Sequence, residues 1–336
     1  MTPYARLHAF GAALAPGVML SATIAAAASF LGMHYGAPVM LFALLIGMAF
    51  NFMHADGPCR AGVDWTSKFV LRLGVGLLGI RIALEDIAQI GLSGAALLLG
   101  LVAATIATGF IAAPLFGRQW RFALLTGGAV AICGASAALA IAAVIPANDK
   151  TERNTLFTVM AVTALSTLAM VAYPLLFQAL GFSELQQGFL IGATIHDVAQ
   201  VVGAGFSVSD TAGEMATITK LFRVAVLPVV LIVIVLVLRL HGTGKGSGNI
   251  LLLPWFMLLF LALVGVGSLF DLPQVLVAQV EVVSRACLIT AIAALGVKTS
   301  LKALTAVGGG HLAVVVFETL VLLLLASSAM YFFAIV

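Results

Sequence analysis

Apolar residues run through the chain in long blocks, separated by short clusters of glycine, proline and charge, without the alternation of a half-buried strand. No Asp, Glu, Lys or Arg occurs from Leu7 to Ala55, and the Gly32–Gly36 sequence GMHYG divides that stretch into segments near 12–32 and 37–54. Further apolar segments follow at 63–84, 93–115, 122–146, 154–180, 185–206, 213–239, 249–270, 274–298 and 311–335. About 20 apolar residues cross the hydrocarbon core as one helix. The pattern therefore predicts an all-α polytopic membrane protein with about 10–11 transmembrane helices. The segment 63–84 is amphipathic, carrying Lys68, Arg72 and Arg81, and 185–206 is weakly hydrophobic, so it either spans or re-enters. The first apolar run is too long for a secretory signal and reads as an uncleaved first helix.

Composition sharpens the class. The 336 residues are 62% hydrophobic and 9% charged, against roughly 45–50% and about 25% for soluble domains. Soluble enzymes, nucleic-acid binders and disordered scaffolds are excluded. The net charge of +3 is too small to imply a polyanionic partner. Cys59, Cys133 and Cys287 are dispersed and odd in number, and the six histidines show no metal-ligand spacing, so no disulfide framework, metal or cofactor is expected. The 34 glycines suit helices packed closely in lipid. No segment resembles an extramembrane domain; His241–Gly248 is the longest loop and reads as a linker. The chain is expected to form a single domain, 1–336, with repeat-like halves at about 37–180 and 185–336.

Basic residues near segment ends set the orientation. Arg6, Arg60, Arg118, Arg121, Arg239, Lys245, Lys298 and Lys302 fall on one side. Arg81, Lys150 and Arg153 fall on the other, offset by Glu85, Asp86, Asp149 and Glu152. The first side, with the N-terminus, is expected to be cytoplasmic. The stretch Leu78–Gly91 recurs as Leu295–Gly308, with four of fourteen positions identical. In this topology the two copies end on opposite sides, as an inverted repeat requires, and such repeats are the usual framework of secondary transporters.

Two segments interrupt helical patterns with small and polar residues: AICGAS from Ala131 to Ser136, and IGATIHD from Ile191 to Asp197. Broken helices at membrane depth free backbone N–H groups and expose a positive helix end that stabilises an anion. A close small-residue helix contact is the other reading of the first segment. In the second, Asp197 is the only acid between Glu184 and Asp210. A carboxylate at a helix centre costs about 2.5–3.5 kcal/mol on insertion scales and is usually functional. Together with His196 it forms a candidate proton-coupling pair, and Gln200 shares its helix face. Lys220 and Arg223 lie three residues apart, Lys68 and Arg72 four apart, and Arg285 follows Glu281 by four. Each is either a snorkelling anchor or part of a positive surface for an anion. Arg285 is the strongest candidate because it lies well inside its span, and Glu318 is also deep.

These residues carry a resemblance. CGASAALAIAAVIPA from Cys133, IHDVAQVVGAG from Ile195 with the following KLFR from Lys220, and LLGIRIALEDI from Leu77 together resemble the YeiH family of sulfate exporters of the bacterial inner membrane. The likeness runs over about residues 12–336, with IHDVAQVV its most specific motif. More distantly, LLGIRIALEDI followed by a Cys-Gly-x-Ser break is similar to bile-acid/sodium symporters. Their superfamily includes sodium/proton antiporters and has two inverted five-helix repeats with crossing broken helices. The resemblance implies that Cys133, Gly134 and Ser136 lie at one crossing, and Thr194, His196, Asp197 and Gln200 at the other. In this chain the second interrupted segment precedes the second Leu-Gly copy, whereas tandem duplication places it after. Either the order is permuted or the repeat match pairs different helices.

The expected protein is not an enzyme. It is a secondary transporter exporting a small inorganic or sulfonated anion (sulfate, sulfite or an organosulfonate), coupled to an ion or proton, in the bacterial inner membrane. The alternatives are an intramembrane enzyme with Cys133 as nucleophile and His196 as base, and a passive anion channel. The expected substrate-binding residues are Cys133, Gly134, Ser136, Thr194, His196, Asp197, Gln200, Lys220, Arg223 and Arg285. The expected partners are the anion and the lipid bilayer, with no nucleic acid; pairing as a homodimer is left open.

Overall fold

Long apolar runs with no water-facing stripe satisfy their backbone only as helices, and helices are what form. The computed structural model describes residues 3–35, 39–55, 57–82, 90–146, 150–240, 254–270, 272–299 and 309–333. In chain order these hold α1 (Pro3–Tyr35), α2 (Val39–Ala49), α3 (Phe52–Ala55), α4 (Arg60–Trp65), a π-helical turn (Thr66–Val70) and α5 (Leu71–Leu78). Then come α6 (Gly91–Leu115), α7 (Trp120–Ala131), α8 (Ala135–Val144), α9 (Thr151–Ala179), α10 (Glu184–Thr194) and α11 (Val198–Val208). The last are α12 (Asp210–Leu240), α13 (Trp255–Leu269), α14 (Gln274–Lys298) and α15 (Gly309–Phe333). No strand occurs among the described residues. Each apolar segment expected from the sequence overlaps a helix or a set of short helices.

Six helices are long and apolar enough to cross a membrane, within α1, α6, α9, α12, α14 and α15. In their most apolar stretches between 28% and 50% of residues are buried in the protein, so much of each helix surface is left for lipid. The protein is an all-α polytopic membrane protein. The Leu78–Gly91 and Leu295–Gly308 copies fall largely outside the described residues, as do the linker His241–Gly248 and the acids Glu85, Asp86 and Asp149.

Two compact units are each assembled from three chain segments. The first contains 1–87, 202–213 and 255–301. Its centre is α14, packed on α1, α2 and α5, with α13 against α5. Glycines set the closest approach: a Cβ on Gly47 of α2 would lie 2.9 Å from the Cα of Gly296 on α14, so neither position admits a side chain. Polar ties reinforce the packing. The Asn51 amide donates to the Val297 carbonyl at 2.9 Å, the Ser284 hydroxyl to the Gly74 carbonyl at 2.8 Å, and Lys298 pairs with Asp64 at 2.9 Å.

The second unit contains 88–201, 214–254 and 302–336. Here α15 packs on α6, α7, α9 and α10, and α8 lies against α7 and α9. Ala112, Ala113, Phe122, Ala123 and Val314 form a buried apolar cluster, joined by Phe157. A capping box starts α10: the Ser183 hydroxyl accepts from the Gln186 amide and the Gln186 side chain accepts from the Ser183 amide. Both interrupted segments belong to this unit.

Candidate functional site

The first interruption is a matter of one glycine. α7 ends at Ala131, and Gly134 adopts φ +60°, ψ −121°, a conformation that L side chains rarely take; α8 then starts at Ala135. The second is made by Ile195–Asp197, where Ile195 turns extended (φ −73°, ψ 140°). Asp197 restarts the chain as α11: its side chain faces the Ala199 amide at 3.5 Å and its carbonyl accepts from Val201 at 3.1 Å, an N-cap arrangement. The two interruptions meet. A Cβ on Gly134 would lie 3.5 Å from the Cβ of His196 and 3.6 Å from its carbonyl.

A broken helix leaves the carbonyls of its first half without partners, and buried carbonyls need donors. Lys220 and Arg223 of α12 supply them. Lys220 Nζ donates to the Ile132 carbonyl at 2.7 Å and to the Ile195 carbonyl at 2.9 Å. Arg223 donates to Val130 (2.9 Å), to Ala131 (2.6 and 3.0 Å), to Gly192 (2.9 Å) and to Ile195 (3.2 Å). Both side chains are buried, 0% and 1% exposed. They are therefore not snorkelling anchors; their hydrogen bonds go to the negative ends of α7 and α10.

The positive ends differ from one another. The first amides of α11 have Asp197 at their cap, and the Asp197 amide donates to the Ser166 hydroxyl at 3.1 Å. The N-cap of α8 is Gly134, which has no side chain to cap the first turn; the Ala137 amide faces Cys133, and Ser136 is exposed.

The remaining expected residues are placed as follows. Cys133 is buried at the α7–α8 break. Thr194 is buried, its hydroxyl donating back to the Leu190 carbonyl at 2.6 Å. Gln200 is fully buried, its amide 3.4 Å from the Thr167 hydroxyl, and its Oε1 makes no hydrogen bond. His196 is fully buried, and its Nε2 lies 3.0 Å from the Thr319 hydroxyl. That hydroxyl already donates to the Val315 carbonyl at 2.7 Å. A hydroxyl has one proton, so while Thr319 keeps its bond to Val315 the hydrogen of this contact must come from Nε2. Nδ1 makes no hydrogen bond among the described residues. His196 and Asp197, adjacent in sequence, thus turn to different neighbours, α15 and α11.

Arg285 is not brought to the crossing. It belongs to the first unit, where its side chain is 57% exposed and lies 3.8 Å from Asp210. Glu281, four residues before it on α14, pairs with Arg81 at 2.9 Å, and Arg81 also reaches Asp210 at 3.7 Å. These groups and Ser284 line a cavity of about 440 Å³ within that unit. Lys68 and Arg72 are exposed, Arg72 lying over the Phe256 ring at 5.9 Å. Sequence reasoning missed Ser166, Thr167 and Thr319; adjacent hydroxyls at 166–167 inside an apolar run were the available signal.

Comparison with known proteins agrees with this architecture. Residues 16–315 match the protein family described as Conserved hypothetical protein 698. The chain is 50% identical over 320 residues to the UPF0324 membrane protein RB0971 of Rhizobium meliloti, covering 94% of this chain and 92% of the relative. It is 49% identical over 319 residues to the UPF0324 membrane protein TauZ of Paracoccus pantotrophus, covering 94% of each. To the UPF0324 membrane protein CT0845 of Chlorobaculum tepidum it is 49% identical, covering 92% of this chain and 87% of the relative. No solved structure matches.

Proposed function

The chain belongs to the UPF0324 membrane-protein family, and on that premise we propose that it is a secondary transporter for a small oxyanion. Sulfite, sulfate or an organosulfonate is the substrate, and its movement is coupled to an ion or proton. It works as an exporter in the bacterial inner membrane with the N-terminus in the cytoplasm.

The observation that carries this reading is the asymmetry of the crossing. Each helix end is equivalent to about half an elementary charge. The two negative ends are covered by Lys220 and Arg223, while the α8 positive end has a glycine at its N-cap and no charged group on it. With both cations charged, two negative ends, two positive ends and Asp197 leave the crossing at about +1. A buried excess of one positive charge is expensive to hold empty and favourable for an anion. The first amides of α8 and the Ser136 hydroxyl would bind the oxyanion, while Lys220 and Arg223 supply potential without touching it.

The test is counterflow in proteoliposomes of the full chain, with labelled sulfite as probe and sulfate and methanesulfonate as competitors. Exchange faster than in protein-free liposomes, competed by at least one of the two, is the expected result. Exchange no faster than in protein-free liposomes would overturn the reading.

A further inference from the structure

Glu318 lies on α15, one residue before the Thr319 that holds His196, and is fully buried. Its Oε1 is 2.8 Å from the Thr126 hydroxyl of α7. A Cβ placed on Gly109 of α6 would lie 2.7 Å from that same oxygen. Three helices thus close around one carboxyl group, and only a glycine leaves room for it. Its other oxygen, Oε2, makes no hydrogen bond among the described residues.

The protons can be counted. The Thr126 hydroxyl is also 3.0 Å from the Phe122 carbonyl, the back-bond that a helical threonine makes to the preceding turn. With a single proton, it cannot donate to Phe122 and to Glu318 together. If Glu318 is ionised, one of the two contacts brings acceptor against acceptor. If Glu318 is protonated, it donates to Thr126, Thr126 donates to Phe122, and both contacts are hydrogen bonds.

No cation pairs with Glu318 among the described residues; the Arg118 guanidinium, just before α7, lies over the Phe122 ring at 6.0 Å. α6 carries no charged residue. On α7 the only charge is Arg121, five residues before Thr126, and its guanidinium lies over the Trp120 ring at 4.9 Å. The charged residues of α9 and α10, the other helices packed on α15, are Glu152, Arg153 and Glu184, all in first turns. His196 faces Thr319 through Nε2 at 3.0 Å. None of these groups forms an ion pair with Glu318 among the described residues. A buried carboxylate without a counter-ion is the costly state, and a neutral acid is the affordable one.

We propose that Glu318 is a proton-carrying site, held as a carboxylic acid by Thr126 and Gly109, and that its proton is the one coupled to anion movement. The coupling half rests on the transport reading above; the protonation half does not. The step moves one proton and no electrons. The carboxyl gives its proton to water admitted on one side and takes one from water on the other. An ionised Glu318 lowers the positive potential of its unit, so proton and anion favour the same state.

Infrared spectroscopy of the full chain in lipid nanodiscs at neutral pH separates the two halves. The wild type is expected to show the C=O stretch of a protonated carboxyl. Glu318→Gln, the neutral isostere, is expected to lose it, Asp197→Asn to keep it, and Thr126→Val to shift it. A wild type without the band, or a band unchanged in Glu318→Gln, overturns the proposal. In sulfite-loaded proteoliposomes with an entrapped pH dye, one unit of imposed pH gradient is expected to change wild-type flux by up to about tenfold, the occupancy change of a single site. Glu318→Gln is expected to move sulfite without responding. Wild-type flux indifferent to the gradient overturns the coupling role. A wild type that moves no sulfite overturns the transport reading and the coupling with it, while the infrared band still decides whether Glu318 holds a proton.

Discussion

Lys220 and Arg223 in one unit, and Arg81 and Arg285 in the other, show two ways for a membrane protein to keep a cation. The first pair is buried and makes seven hydrogen bonds, every one to a backbone carbonyl. The second pair is 33% and 57% exposed and faces the carboxylates of Glu281 and Asp210 at 2.9 to 3.8 Å. Carbonyls at helix ends cannot titrate or swing away, so the first pair is a fixed field. Carboxylates on mobile side chains can exchange partners, so the second pair is a set of replaceable contacts. The lesson is that position inside an apolar run does not say whether a charge works by field or by contact; the chemistry of its partner does.

Arg223→Ala tests the fixed half of this contrast and carries the largest expected effect. It removes five hydrogen bonds from four buried carbonyls. Taking one side of a buried charged arrangement costs about 3–5 kcal/mol. The expected outcome is a large drop in unfolding temperature, or loss of the monodisperse peak on gel filtration. Arg223→Lys recovers only part, because the three donors of an ammonium cannot replace the five hydrogen bonds made by the planar guanidinium. If Arg223→Ala is no worse than Arg81→Ala, the contrast between the pairs fails.

Gly134→Ala comes next. A methyl there meets His196 Cβ at an ordinary 3.5 Å, so the cost is conformational, about 1–3 kcal/mol for a non-glycine residue at this φ and ψ. Thermal unfolding should register it, and sulfite exchange should fall as the break distorts. Asp197→Asn sharpens the charge count instead. Asparagine caps a helix as well as aspartate does, so the cap is kept and a loss of stability on thermal unfolding reports the added buried positive charge. The positive excess at the crossing rises by one unit, so the half-saturating sulfite concentration should fall and its release slow. A rate and affinity both equal to wild type would reduce Asp197 to a cap.

How much of this was legible beforehand depended on range. The apolar segments were readable because a spanning helix announces itself over some twenty residues. The two breaks were readable because Gly134 and the His196-Asp197 pair interrupt such runs locally. Lys220 and Arg223 were visible as two cations on one helix face, but their partners lie as far as 93 residues away in sequence, and backbone carbonyls carry no sequence signature. Arg285 sits in the middle of an apolar run yet opens onto a cavity with Asp210, because place in a run does not fix place in the protein. Glu318 was recognised as buried, but Thr126 lies 192 residues away on α7, and Gly109 on α6 gave no hint of making room for a carboxyl.

The replaceable half of the contrast carries the smallest effect and the clearest signature. A double-mutant cycle on Arg81→Ala and Glu281→Ala should give a coupling of about 0.2–1 kcal/mol, as for other partly exposed pairs. The same cycle on Arg285 and Asp210, which are 3.8 Å apart with side chains 57% and 44% exposed, should give less. Both couplings should shrink as salt rises, because the Debye length falls from about 10 Å at 0.1 M to about 3 Å at 1 M. The cost of Arg223→Ala should not respond to salt, since no ion reaches carbonyls buried with a side chain that is 1% exposed. Equal salt sensitivity at the two places would mean that water and ions reach the crossing as readily as the cavity, and the idea of a sealed field behind the α8 end would fall with it.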